Sequence, residues 1–288
     1  MTLVEIMNTF SDDDRCREML ERLRWPDAPE CPRCETREIV RLDAKLLYCK
    51  QCNYQFTVTA GTVFHDSHLP LLKWFIAAHL ICESRKGMSA NQIKRMLGIS
   101  YKTAWYLCHR IRAAMKEADQ APLDGTLEMD ETYIGGKARK NRPISKKEAV
   151  IGIRQRNGDL RFIHPKEVTA ATIREIVKEN VSEDVDVIVT DESLVYYYGL
   201  DGKRHKVITH KDEFVRGNIH TNTVENAFSL LKRGIVGAWH KVSAKHLPAY
   251  LNEMTFRFNR RKRSDLFVDT LQHMISAPVL TFEKLTAA

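Results

Sequence analysis

The rhythm of apolar and polar positions divides the chain into four stretches. Residues 1–30 read as a short acidic-then-basic helical lead that ends at the breakers Pro26 and Pro29. Residues 31–60 set paired cysteines among strand-like segments, Leu46-Leu47-Tyr48 and Gln55-Phe56-Thr57-Val58. Residues 70–118 carry a helical period throughout. Pro70 opens a segment whose Leu72, Phe75, Ile76 and Leu80 share a stripe, and Ser89 is placed to cap a second helix running to Leu97. Gly98-Ile99-Ser100 then predicts a tight turn, with Ser100 capping a third helix from Tyr101 to Met115. That helix is expected to bury Ala104, Leu107, Cys108 and Ile111 and to present Lys102, Thr103, Tyr106, His109, Arg110 and Arg112 as polar side chains. After a Pro- and Gly-containing hinge at 120–125, strands alternate with helices, which predicts a mixed α/β domain over 124–265 and a tail over 266–288.

Charge changes the picture. The chain has 288 residues, a net charge of +8 and a pI of about 9.1, a balance that favours a polyanionic partner because cations on phosphates release condensed counterions. The cations are clustered. Residues 137–147 hold six Lys or Arg and residues 257–263 hold five in seven, both inside the chain beside candidate chemistry. No apolar run approaches the roughly 20 residues that span a bilayer, and the first residues lack the basic start and apolar core of a signal peptide. The expectation is a cytoplasmic protein with no membrane partner. Its seven cysteines would then sit in a reducing compartment, where close pairs point to metal.

Two C-x2-C knuckles, Cys31-Pro32-Arg33-Cys34 and Cys49-Lys50-Gln51-Cys52, stand fourteen residues apart. Four soft thiolates on facing hairpins suit a closed tetrahedral Zn²⁺ site of structural type. Cys16, Cys82 and Cys108 are lone cysteines on helical patterns and read as core residues. The short helix, glycine turn and longer basic helix over 70–118 match a helix-turn-helix, whose second helix enters the major groove of DNA.

A third constellation is acidic. Residues 127–134 read as a strand in which Asp130 shares a face with Glu128 and Thr132 while Glu131 points the other way. The β-branched run 185–191 delivers Asp191 at its carboxyl end, where open α/β sheets place their chemistry. A helix starting near Asn222-Thr223 puts Val224, Ala227, Phe228 and Leu231 on one face. Glu225 and Lys232, seven apart, lie off that stripe about 20° from each other; Asn226 lies about 100° further round and is the poorer candidate. Three carboxylates spaced by 61 and 34 residues suit Mg²⁺, with Mn²⁺ as a substitute, and two such ions can assist in-line displacement at phosphorus.

Taken in order, CPRC and CKQC, GTVFHDSHLPLLKWF, MDETYIGG, IVTDES, HTNTVENAFSLLKRGIVGAWHKVSAKHL and RFNRRK make the chain resemble the zinc-ribbon insertion-sequence transposases of the fifteen-ninety-five group, from about Pro26 to Arg263. The resemblance implies an RNase H-like catalytic domain and DNA cleavage and joining by a DDE site. Carried over, Asp130 and Asp191 match the first two carboxylates. The third position is Asn or Glu in the family, often with a following Lys, which leaves Asn222 as rival or helper to Glu225 and Lys232. His220, Thr221 and His240 fall in the matching blocks, with packing or capping as their expected role. The expected activity is metal-dependent cleavage and strand transfer at terminal inverted repeats, by a homodimer or larger assembly on double-stranded DNA in the nucleoid of a prokaryotic host. Lys102, Thr103, Tyr106, Arg110 and Arg112 would meet the element ends; Lys137, Arg139, Lys140, Arg260, Arg261 and Lys262 would grip phosphates. Alternatives are a DNA-binding regulator with an inert catalytic fold, and a nuclease that cuts without joining.

Overall fold

Local capping signals in the sequence become helix starts in the computed structural model, which describes residues 1–117, 120–135, 147–200, 204–208 and 220–287. Thr2 and Glu5 form a capping box at α1 (Leu3–Thr9), and the Asp12 carboxylate accepts from Arg15 N–H at the start of α2 (Asp13–Arg24). The paired cysteines follow on a three-stranded antiparallel sheet of β1 (Ile39–Arg41), β2 (Leu47–Cys49) and β3 (Gln55–Phe56). Helix α3 (Leu71–Glu83) then precedes α4 (Ala90–Leu97) and α5 (Tyr101–Ala114). Ser89 and Ser100 cap the latter two, and Gly98 between them sits at φ 60°, ψ 44°, a left-handed conformation that suits glycine.

The chain divides into two units: residues 1–116 together with 260–288, and residues 117–259. In the second, five strands make one mixed sheet: β4 (Thr126–Ile134), β5 (Glu148–Gln155), β6 (Leu160–Ile163), β7 (Val187–Thr190) and β8 (His205–Val207). Their order is β6-β5-β4-β7-β8. The first three pair antiparallel, and β7 and β8 run parallel beside β4. Helices cover both faces. Leu127, Met129, Ile151 and Ile153 pack on one side with Ile173 and Val177 of α6 (Ala170–Asn180) and Tyr196 of α7 (Leu194–Gly199). On the other, Val150, Leu160 and Phe162 meet Val224, Phe228 and Leu231 of α8 (Asn222–Gly234) and Leu251 and Met254 of α9 (Leu247–Asn259).

The expected tail is not separate. Residues 266–276 form α10 (Leu266–Ser276), which packs in the first unit against α2, α3 and α5, with Phe75 and Phe267 ring centroids 6.0 Å apart. A last helix, α11 (Phe282–Thr286), sets Phe282 against Trp105 and Tyr106 of α5. Among the described residues, no helix is long and apolar enough to cross a membrane.

Candidate active site and metal centre

The two knuckles are built alike. In each, the residue after the second cysteine donates its N–H to the carbonyl of the first, Glu35 to Cys31 at 2.9 Å and Asn53 to Cys49 at 3.0 Å. Both of these residues have positive φ, 60° and 56°, which curls each knuckle around its sulfurs. Arg33 N–H approaches Cys31 Sγ at 3.5 Å and Cys52 N–H approaches Cys49 Sγ at 3.4 Å, contacts that favour thiolate charge. Cys31 and Cys52 sulfurs are 3.6 Å apart, Cys34 and Cys49 sulfurs 3.5 Å, and all four lie within 4.8 Å of one another. Disulfide sulfurs would sit about 2.0 Å apart. A tetrahedral Zn²⁺ at about 2.3 Å from each sulfur spaces them about 3.8 Å apart, so the donor set fits zinc. Leu47, Phe56 and Ala60 complete a small core around the cysteines.

Strand register brings the aspartates together. Glu128 of β4 pairs with Val189 of β7, and the same parallel register continued by two residues sets Asp130 level with Asp191. Asp191 follows the last residue of β7, and its Oδ1 accepts from Ser193 N–H at 3.1 Å. Glu225 stands exposed in the first turn of α8 and accepts from the Thr221 hydroxyl at 2.8 Å. Burial pushes the Asp130 carboxyl up to about 7, against an N–H donated by Glu131, and the charges of Glu131, Asp191 and Glu225 push it further. Three carboxylates act on Asp130, so a cation placed among them would relieve both repulsion and desolvation. Among the described residues, the four cysteines are the one His, Cys, Asp or Glu group already drawn to a single ion's reach.

Two family models match the chain: an ISXO2-like transposase domain over residues 122–259 and a transposase zinc-ribbon domain over residues 11–55. In both domains the chain is similar to the zinc-ribbon transposases of the fifteen-ninety-five group. It is also 28% identical over 276 residues to an uncharacterized protein in transposable element ISH50 of Halobacterium salinarum, covering 87% of this chain and 92% of that one.

Within this transposase fold, Gly152 explains how α8 comes so close to the strands. It pairs with Asp130 across β4 and β5, directly under α8. A Cβ there would lie 2.8 Å from Val224 Cγ2 and 2.8 Å from Phe228 Cζ, and Val224 is fully buried. Gly152→Ala is expected to lift α8 and cost about 1–3 kcal/mol, the usual range for overpacking. The melting temperature and the DNA-cleavage rate should fall together; a variant that keeps both would show that α8 has slack.

Several expected DNA contacts are corrected. Arg110 and Arg112 are 3% and 1% exposed. Arg110 stacks between the rings of Trp74 and Tyr106, 5.0 Å from each centroid, and donates to the His65 carbonyl. Arg112 reaches the Met88 carbonyl at 3.4 Å. His109 is buried as well. Tyr106 is half-buried, and its hydroxyl donates to the Leu280 carbonyl at 2.6 Å. The physical reason is that α5 contacts α3, α4 and α10, which leaves only its first turn open, with Tyr101, Lys102 and Thr103 exposed. Lys102 Nζ lies 4.6 Å from the Phe282 ring centroid. Arg260, expected on phosphate, is instead held 2.6 Å from Asp269 with a side chain only 12% exposed, while Arg261 and Lys262 stay exposed. Lys137, Arg139 and Lys140 lie outside the described residues. Asn222, Asn226 and Lys232 are exposed on α8.

Sequence reasoning found no place for Arg156 and no role for Glu128, and Thr221, expected to pack or cap, is buried but makes no side-chain cap, although all three surround Glu225's turn. Their signal was faint: an acidic residue in a strand interior two places before Asp130.

Proposed function

We propose that the chain is an active DDE transposase that binds the terminal inverted repeats of its element, cleaves DNA there and joins the freed 3′-hydroxyl to target DNA. The level placement of Asp130 and Asp191 under the charge of Glu225 carries this reading. The strand order, three antiparallel strands followed by two parallel ones on the far side of the first, supports an RNase H-like catalytic domain. Asp130, Asp191 and Glu225 would hold Mg²⁺ or Mn²⁺, which supplies Lewis-acid stabilisation of an in-line displacement at phosphorus. Of the rivals for the third position, Glu225 is favoured over the uncharged Asn222 and Asn226 because it offers a carboxylate, the harder ligand for a divalent cation, close enough for its charge to act on Asp130. Lys232, two turns along α8, is offered to a DNA phosphate. Both element ends must be held at once, so the working form is a homodimer or larger assembly on DNA, in the nucleoid of a prokaryotic host.

Strand transfer tests this reading against its rivals. Purified protein, a duplex carrying one element end and a supercoiled target plasmid should give covalently joined product in Mg²⁺ or Mn²⁺. Cleavage without joined product would make the chain a nuclease, and specific binding with neither would make it a regulator.

The pair α4–α5 acts as the helix-turn-helix, reading base edges with the exposed first turn of α5, as recognition helices do with their N-terminal residues. Replacing Tyr101, Lys102 and Thr103 together by Ala is expected to cost about 1–3 kcal/mol of discrimination between element ends and random DNA for each lost base contact. Arg110→Ala should instead lower the melting temperature. Unchanged specificity in the triple variant, measured over a range of salt concentrations, would remove this helix from DNA reading.

A further inference from the structure

We propose that Glu128 is a positioning residue: it caps α8 from the neighbouring strand and thereby sets Glu225 against Asp130. The proposal rests on the DDE reading of those two carboxylates. Glu128 is completely buried, which a carboxylate tolerates only when its oxygens are taken up by donors. They are. Oε2 accepts from Thr223 N–H at 2.8 Å, Thr223 Oγ1 at 2.7 Å and Val224 N–H at 3.1 Å, the otherwise open donors of the first turn of α8. Oε1 accepts from Arg156 Nε at 2.8 Å and lies 3.2 Å from His220 Nδ1. Arg156 also donates to the His220 carbonyl at 3.1 Å, so the residues leading into the helix are fixed from the same point.

The local cap makes the case specific. Thr221 occupies the N-cap position of α8, where a threonine hydroxyl ordinarily accepts from the first turn. It makes no such bond here; its hydroxyl donates to Glu225 Oε1 at 2.8 Å. Glu128 does the capping in its place and leaves Thr221 to orient Glu225. Because Glu128 stands two residues before Asp130 on the same face of β4, one side chain ties the strand of the first carboxylate to the helix of the third. A negative charge facing the helix N-terminus also complements its dipole. Glu128 thus acts through Glu225, and both of its oxygens are already spent on these partners.

The test uses the full-length, zinc-loaded chain and reads Mn²⁺ binding from loss of the free-ion EPR signal, with DNA cleavage measured on the same samples. Glu128→Gln is expected to weaken Mn²⁺ binding by about 10- to 100-fold, the scale of losses when groups that orient metal ligands are removed. In a Glu225→Gln background the same change should alter Mn²⁺ affinity by less than about twofold, because residues acting in series do not add. Thr223→Val removes one donor and keeps the helix; it should weaken Mn²⁺ binding several-fold, and it carries the test if Glu128→Gln does not fold. Wild-type Mn²⁺ affinity in either folded variant, or an undiminished effect of Glu128→Gln in the Glu225→Gln background, would overturn the proposal. Failure of the DDE reading looks different: Asp130→Asn would then bind Mn²⁺ and cleave DNA as the wild type does.

Discussion

Asp130→Asn protein is expected to bind element ends as tightly as the wild type or more so, and to cleave them at least about a thousandfold more slowly, a barrier increase of about 4 kcal/mol. The asparagine keeps the shape of the side chain and the place it fills opposite Gly152, but not the charge that a divalent cation requires. End binding should survive because a negative charge facing DNA phosphates has been removed. Stability supplies a second readout. Burial, aided by Glu131, Asp191 and Glu225, raises the folded-state carboxyl to about 7, whereas an unfolded Asp titrates near 3.8. Between those values the folded chain holds a proton that the unfolded chain has lost, so this residue's contribution to stability declines as pH rises through the window. Without added divalent cation, Asp130→Asn should therefore melt at or above the wild-type temperature at pH 8, and the difference should shrink toward pH 4. Asp191→Asn and Glu225→Gln should match its loss of cleavage. Normal cleavage in Mg²⁺ by all three would sink the DDE assignment, and near-normal cleavage by Glu225→Gln with loss in Asn222→Ala would move the third position.

What was legible in the sequence follows the range of the interactions involved. Ser89, Gly98 and Ser100 act on backbone groups within four residues, so the bounds of α4 and α5 could be read directly. Strand alternation correctly separated Asp130 from Glu131, whose carboxylate accepts from the Tyr196 hydroxyl on the opposite face of the sheet. Periodicity on α8 placed Val224, Ala227, Phe228 and Leu231 inward and Glu225 outward. The failures are long-range. Arg110 and Arg112 sit at helical positions that look polar, and only the packing of α3 and α10 on α5 turns them into buried tethers. An arginine stem covers apolar surface as readily as it reaches a phosphate, so residue type alone did not decide. Arg260 is similar, since its partner Asp269 lies on α10, a helix expected to be tail. Glu128 was visible as a strand residue, but its partners Arg156, Thr223 and Val224 come together only once α8 lies across the sheet.

The other large effect expected is loss of the ribbon when its metal is removed. Its three strands are 3, 3 and 2 residues long, and besides the cysteines its core buries Leu47, Phe56 and Ala60, with Trp25, Ile39 and Tyr54 packed half-buried against them. So small a sheet does not bury enough apolar surface to stand alone, whereas structural zinc sites in short domains contribute about 10–16 kcal/mol of apparent binding energy near neutral pH. Elemental analysis should find one zinc per chain, and a strong chelator should remove it with loss of the ordered ribbon. Arg24, which donates to the Ala60 carbonyl at 2.8 Å, then loses a fixed partner, so the end of α2 should loosen with the ribbon. The second unit, residues 117–259, contains none of the cysteines and has cores of its own on both faces of its sheet. Hydrogen exchange before and after chelation should therefore show amides of 31–60 becoming unprotected while those of β4, β5 and α8 hold. Cys49→Ser should reproduce the chelated pattern even with zinc in excess, since it removes a ligand from the most buried corner of the cluster. Protection of 31–60 that persists in both the chelated protein and Cys49→Ser would mean that the ribbon folds without metal, and the four sulfurs would then need another explanation for standing within 4.8 Å of one another.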